Sequence, residues 1–177
     1  MGWTVVTYRL PKDDSRARVA VWRQVRRSGA LHLQQSVVAL PDGPAFAEDL
    51  EELRATITEV GGEDLAIRGD ADGPDGAARL VALWNEARDD EYRELIRETD
   101  KFLKEIDHEF AQEKFTLAEL EEEEAELDKL DRWHGRIRRR DVHGAAEAGA
   151  CDDAMGRARE ALERYSAAVF EHTEPPA

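Results

Sequence analysis

The apolar periodicity changes once along this chain, and that change limits what it can fold into. Up to Ile67, short β-branched or aromatic runs alternate with amphipathic stretches, and Pro or Gly punctuates them. Beyond the turn-rich acidic connector Gly69 to Gly76 (GDADGPDG), every long segment repeats its apolar residues at three- and four-residue spacing. The first part must therefore hold a sheet, and the second must be helical.

Within the first part, Trp3 to Leu10 predicts a strand closed by Pro11. Asp14 or Ser15 then caps a helix in which Arg18, Val19, Trp22 and Val25 recur at helical spacing up to Gly29. This phase puts Trp22 on the buried face and Arg16, Arg23 and Arg27 opposite it. Leu31 to Leu33 and Ser36 to Leu40 predict a hairpin around Gln34 and Gln35. Pro44 starts a second helix with the stripe Phe46, Leu50, Leu53, Ile57 and Val60, stopped by Gly61 and Gly62. Leu65 to Ile67 gives a last strand. The order βαββαβ is that of a ferredoxin-like lobe, an antiparallel four-stranded sheet with two helices on one face.

The second part predicts three long helices. The first runs from Leu80 to Phe110 with a kink near Asp89 and Asp90. The second starts at a capping box of Thr116 and Glu119, followed by the stripe Leu117, Leu120, Leu127, Leu130, His134 and Ile137. A loop over Val142 to Ala150 leads to the third, Asp152 to His172, ended by Pro175 and Pro176. The expected fold is α+β, with a ferredoxin-like lobe at 1–69 and an antiparallel helical lobe at 77–173. Apolar residues on both sides of the first strand imply that the sheet's second face is covered, by the helical lobe or by a second copy in a homodimer.

Charge separates the two parts. The chain has 25 Lys plus Arg against 40 Asp plus Glu, a net charge of −15, yet residues 1–40 carry seven basic and two acidic groups. The stretch freest of charge, Ser28 to Pro41, contains His32, Gln34 and Gln35 and is too short to span a bilayer. Met1 to Leu10 lacks the basic and apolar regions of a secretory signal, so a cytoplasmic protein is expected. The single Cys151 forms no internal disulfide, and Asp152 and Asp153 beside it raise its pKa rather than activate it.

No phosphate-binding glycine loop, nucleophile elbow or zinc motif occurs, so no catalytic residue, cofactor or metal site is expected. The acidic run Glu119 to Asp131 reads as a solvated face that suits the helix dipole, with Glu124 as the member open to burial against an Arg. Glu105 with His108 and Asp131 with His134 imitate a di-iron spacing, but helical phase turns His108 to water and leaves His134 as a packing residue. The remaining candidates are Arg16, Arg23 and Arg27, with Arg26 at their flank. In an acidic chain they either meet phosphates or an acidic partner, or pair with the protein's own carboxylates.

These residues carry a resemblance. WTVVTYRLP, then Arg18, Trp22 and Arg23, then SGA and SVVALP, are similar to the N-terminal domain of ChrB, the chromate-resistance regulatory protein. LWNEARDDEY, KFTLAELEEEEAELDKLDRW and RIRRRDVHGA extend the likeness over nearly the whole chain. It implies a non-enzymatic regulator or sensor, with DNA or the chromate anion as partner. LQQSVVALP also resembles ferredoxin-fold endoribonucleases of CRISPR adaptation and phenylacetate-type repressors. In those nucleases an aspartate follows the tyrosine of the first strand, whereas here Tyr8 precedes Arg9, and Asp13 and Asp14 fall in the next turn. A non-catalytic interaction scaffold is the alternative, and a metal-dependent nuclease ranks below both.

Overall fold

The computed structural model describes residues 2–173. They form strand β1 (Trp3–Arg9), helix α1 (Ser15–Ser28), strands β2 (Leu31–Gln34) and β3 (Val37–Pro41), a 3-10 turn at Pro44–Phe46, helix α2 (Ala47–Glu59) and strand β4 (Glu63–Gly69). Three long helices follow, α3 (Gly73–Ala111), α4 (Leu117–Arg140) and α5 (Ala148–Thr173). The fold is the expected α+β arrangement. The sheet is antiparallel in the order β2-β3-β1-β4, which leaves β2 and β4 as edges.

Register explains which residues the helices cover. Val6 faces Val38 on one neighbour and Ala66 on the other, and side chains directly opposite share a face. Val6 and Val38 are fully buried under α1 and α2, whose core contribution is Val21, Val25, Leu53 and Ile57. On the other face Trp3 meets Trp84 edge to face, with ring centroids 5.7 Å apart, and Phe46 meets the same indole at 5.5 Å. Further along that face Leu65 and Ile67 of β4 remain 58% and 56% exposed.

The chain divides into compact units at residues 1–84 and 85–177, a boundary inside α3 just after Trp84. Pro44 opens a 3-10 turn rather than the helix itself, so α2 begins at Ala47. The acidic connector is shorter than expected because α3 already starts at Gly73: Pro74 supplies a pre-set φ in its first turn and Asp75 complements the dipole. The helix also runs unbroken through Asp89 and Asp90. Asp90 pairs with Arg93 one turn on, and the Asp89 carboxylate accepts the Glu147 backbone N–H at 2.8 Å.

The helical unit buries Tyr92, Leu95, Phe102 and Ile106 of α3 against Leu120, Leu127, Leu130 and Ile137 of α4 and a small-residue stripe of α5 that includes Cys151 and Ala158. Two expectations about α4 change. Leu117 is 49% exposed, since it sits in the first turn before the buried stripe begins. Thr116 does cap the helix, accepting the Glu119 N–H at 3.3 Å, but the Glu119 carboxylate turns to Lys114 instead of closing the box. Pro175 and Pro176 lie outside the described residues. No helix among the described residues is long and apolar enough to cross a membrane.

Candidate functional site

Asp14 fixes where α1 begins. Its carboxylate accepts the backbone N–H groups of Arg16 and Ala17 at 2.9 and 3.0 Å, and Gly29 ends the helix in the left-handed conformation at φ 68°. Between these caps the buried stripe is Ala17, Val21, Gln24, Val25 and Ser28. Gln24 reaches Glu52 of α2 at 3.0 Å, and Ser28 returns its hydroxyl to the Val25 carbonyl. The buried face thus includes the polar Gln24 and Ser28 and leaves out the larger Val19 and Trp22. Trp22 is 53% exposed and Val19 44%, a reversal of the sequence-based phase, and Arg18 is exposed with them. Replacing Asp14 with Ala should cost about 1 kcal/mol in urea unfolding, because two backbone donors lose their acceptor.

Arg16, Arg23, Arg26 and Arg27 are all exposed on α1. At 100° per residue, Arg16, Arg23 and Arg27 fall in one strip, and Arg26 lies on the flank shared with Val19 and Trp22. Among the described residues of the first unit, no carboxylate forms a salt bridge with Arg16 or Arg23, whose side chains are exposed. Other arginines of that unit do have carboxylates: Arg9 with Glu63 at 2.7 Å, Arg54 with Asp64 at 2.6 Å and Arg68 with Asp42 at 3.5 Å. The helix face is thus a positive surface built on a negatively charged chain.

A cleft of about 490 Å³ adjoins this face. α1 contributes Arg18, Val19 and Trp22, and the sheet contributes Tyr8 and His32. Leu10 and the hairpin turn residues Gln35 and Ser36 complete it. Ser36 adopts φ 61°, and its carbonyl accepts the Tyr8 N–H at 3.0 Å, which ties the turn to β1. Burial pushes the Tyr8 phenol up, so it stays a neutral hydroxyl. Arg26 stacks over Trp22 with its guanidinium carbon 5.5 Å from the ring centroid. The four-residue spacing of Arg18, Trp22 and Arg26 is the sequence signal for this second strip.

His108 is exposed, and His134 is half-buried on its stripe and bonds Asp152 of α5 at 2.9 Å. Among the described residues no group of three or more His, Cys, Asp or Glu side chains is placed to hold a metal ion. Cys151 is fully buried and its thiol is pushed up to about 11, by burial first and Asp152 second. On α4 the buried acid is Glu123, not Glu124, which is exposed.

A family model described as protein ChrB, N-terminal, matches residues 18–176. The chain belongs to the ChrB N-terminal family. No curated protein matches it. The ChrB match takes in Trp22, Arg23, Arg26 and Arg27 and starts just after Arg16. It associates the chain with chromate-resistance regulation.

Proposed function

We propose that this ChrB-family chain is a non-enzymatic regulator that contacts DNA through the arginine face of α1. The observation that carries the reading is the exposure of Arg16, Arg23, Arg26 and Arg27 on one helix, with no carboxylate among the described residues of their unit in a salt bridge with Arg16 or Arg23. In a chain of net charge −15 such a local surface is what allows approach to a polyanion. A nuclease role is disfavoured because the Asp14 carboxylate is already engaged by two N–H groups of α1. A second copy is the proposed partner of the apolar strip Leu65 and Ile67, exposed on edge strand β4.

Titration of a duplex carrying the promoter of its own operon should show affinity falling steeply between about 50 and 200 mM salt. The variant Arg16→Ala/Arg23→Ala/Arg27→Ala, with unchanged helicity, should flatten the slope of log K against log salt by about 2 to 3. Equal binding by the variant would make these arginines bystanders and favour the scaffold alternative. Repeating the titration with chromate against sulfate at matched ionic strength asks whether this chain reads the anion itself. An effect of chromate beyond that of sulfate assigns sensing to it.

A further inference from the structure

Trp22 is the least explained residue of the site, because a half-exposed indole on a charged helix contributes little to the fold. Its surroundings specify an occupant. Arg26 lies over the ring and does not line the cleft, so the indole bridges a guanidinium on its flank and an apolar recess. The recess offers Tyr8 and His32 as further rings, Gln35 and Ser36 as hydrogen-bonding groups, and no carboxylate. Its volume of about 490 Å³ lies within the range of small-ligand sites. Along the helix from Arg16 to Arg23, about 10 Å of axis, the exposed guanidiniums of Arg16, Arg18 and Arg23 flank the recess.

We propose that the Trp22 cleft binds an unstacked base of single-stranded nucleic acid, whose backbone phosphates meet Arg18 and Arg23. An aromatic platform beside a cationic track binds single strands because every base has a π-face to stack, whereas the bases of an intact duplex are stacked on each other already. The inference rests on the reading of α1 as a nucleic-acid contact and refines it: the arginine strip supplies charge, and Trp22 supplies preference for an open strand. Gln35 and Ser36, held by the bond from Tyr8 N–H to the Ser36 carbonyl, are placed to meet the edge of a base stacked on the indole.

The test compares fluorescein-labelled oligothymidylate of about 20 nucleotides with a duplex of equal length, by anisotropy on the full chain. Wild type should bind the single strand, and Trp22→Ala should weaken that binding about tenfold or more while changing duplex affinity less than about threefold. Trp22→Phe should restore most of the single-strand affinity, since it keeps a stacking ring. Trp22 is half-exposed, so each variant should keep the wild-type fold, which circular dichroism checks. Duplex binding with no single-strand binding, or equal single-strand binding by Trp22→Ala, overturns the cleft assignment and leaves the DNA reading standing. Failure to bind either nucleic acid, with poly-glutamate bound instead, overturns both and makes the face a dock for acidic protein.

Discussion

Replacing Glu91 with Leu should destabilise the helical unit by about 3 kcal/mol, more than any surface change in this chain. Glu91 sits on α3 between two guanidiniums whose side chains are 3% and 4% exposed. Arg88 approaches its Oε2 at 3.2 Å from one turn earlier, and Arg140 donates to the same oxygen at 2.9 Å from the end of α4. Burial lowers the pKa of Arg88, Glu91 opposes that shift, and Arg140 adds to it. The carboxylate therefore screens two like charges that water does not reach. Asp141 adds a smaller opposing charge at Arg88, while its Oδ1 caps the N–H groups of Gly144 and Ala145 and its Oδ2 accepts from Tyr92.

Removing the anion alone takes away the carboxylate oxygen that both guanidiniums share and leaves their mutual repulsion less opposed in a poor solvent. Removing all three charges together, as Arg88→Leu/Glu91→Leu/Arg140→Leu, should recover a large part of the loss, because the desolvation penalty disappears with them. Urea unfolding followed at 222 nm measures both. A single variant within about 0.5 kcal/mol of wild type would show that the cluster is solvated in solution and that α3 and α4 are held by their apolar seam alone.

Much of this architecture is readable from local chemistry. Pro11, Gly29, Pro41 and the pair Gly61 and Gly62 sit where elements must stop, and at Gly62 a Cβ would meet the Ile57 and Arg9 carbonyl oxygens at 2.9 Å. Those signals are short-range, so the βαββαβ order follows from them. What local chemistry misses is rotational phase. On α1 the weight of Val19 and Trp22 points to one face, but the helix lies close to its neighbours and buries Ala17, Val21, Gln24 and Ser28. Hydrophobicity ranks the indole as core, and only tertiary contacts show that Gln24 has Glu52 as a partner and so belongs inside. The candidate site was half legible for the same reason. Arginines announce themselves by charge, whereas an exposed tryptophan looks like any core aromatic until its helix is docked.

Phase is also why the buried acid of α4 is one residue from its expected position, and its consequence is a pH dependence of large size. Between Leu120 and Leu127, a helix accommodates an inward residue at either +3 or +4, and packing selects Glu123, 6% exposed. Its carboxyl is pushed up to about 7, by burial first and then by Glu105, Glu109, Glu122 and Glu119. Glu98, Lys101 and Glu105 from α3, Lys114 from the connecting turn, and Glu126 and Lys129 from α4 line the same groove. Tyr165 of α5 feels the same charges. Lys114 reaches Glu109 and Glu119, both at 3.3 Å, and leaves the second oxygen of Glu109 without a hydrogen bond.

Because the folded value lies above the ordinary 4.5, the unfolded chain releases this proton at lower pH than the folded one. The Glu123 contribution to stability is therefore complete below pH 4.5, declines as pH rises towards 7, and is constant above it. Glu123→Gln keeps the shape and removes the ionisation. The variant should match wild type near pH 4.5 and exceed it at pH 8 by on the order of 2 kcal/mol, read from urea unfolding at both values. The matched pair of curves separates this residue from the general acid titration of a chain with 40 carboxylate side chains. A stability difference between Glu123→Gln and wild type that does not change with pH would mean that Glu123 ionises normally in the folded state, with its carboxylate reaching water.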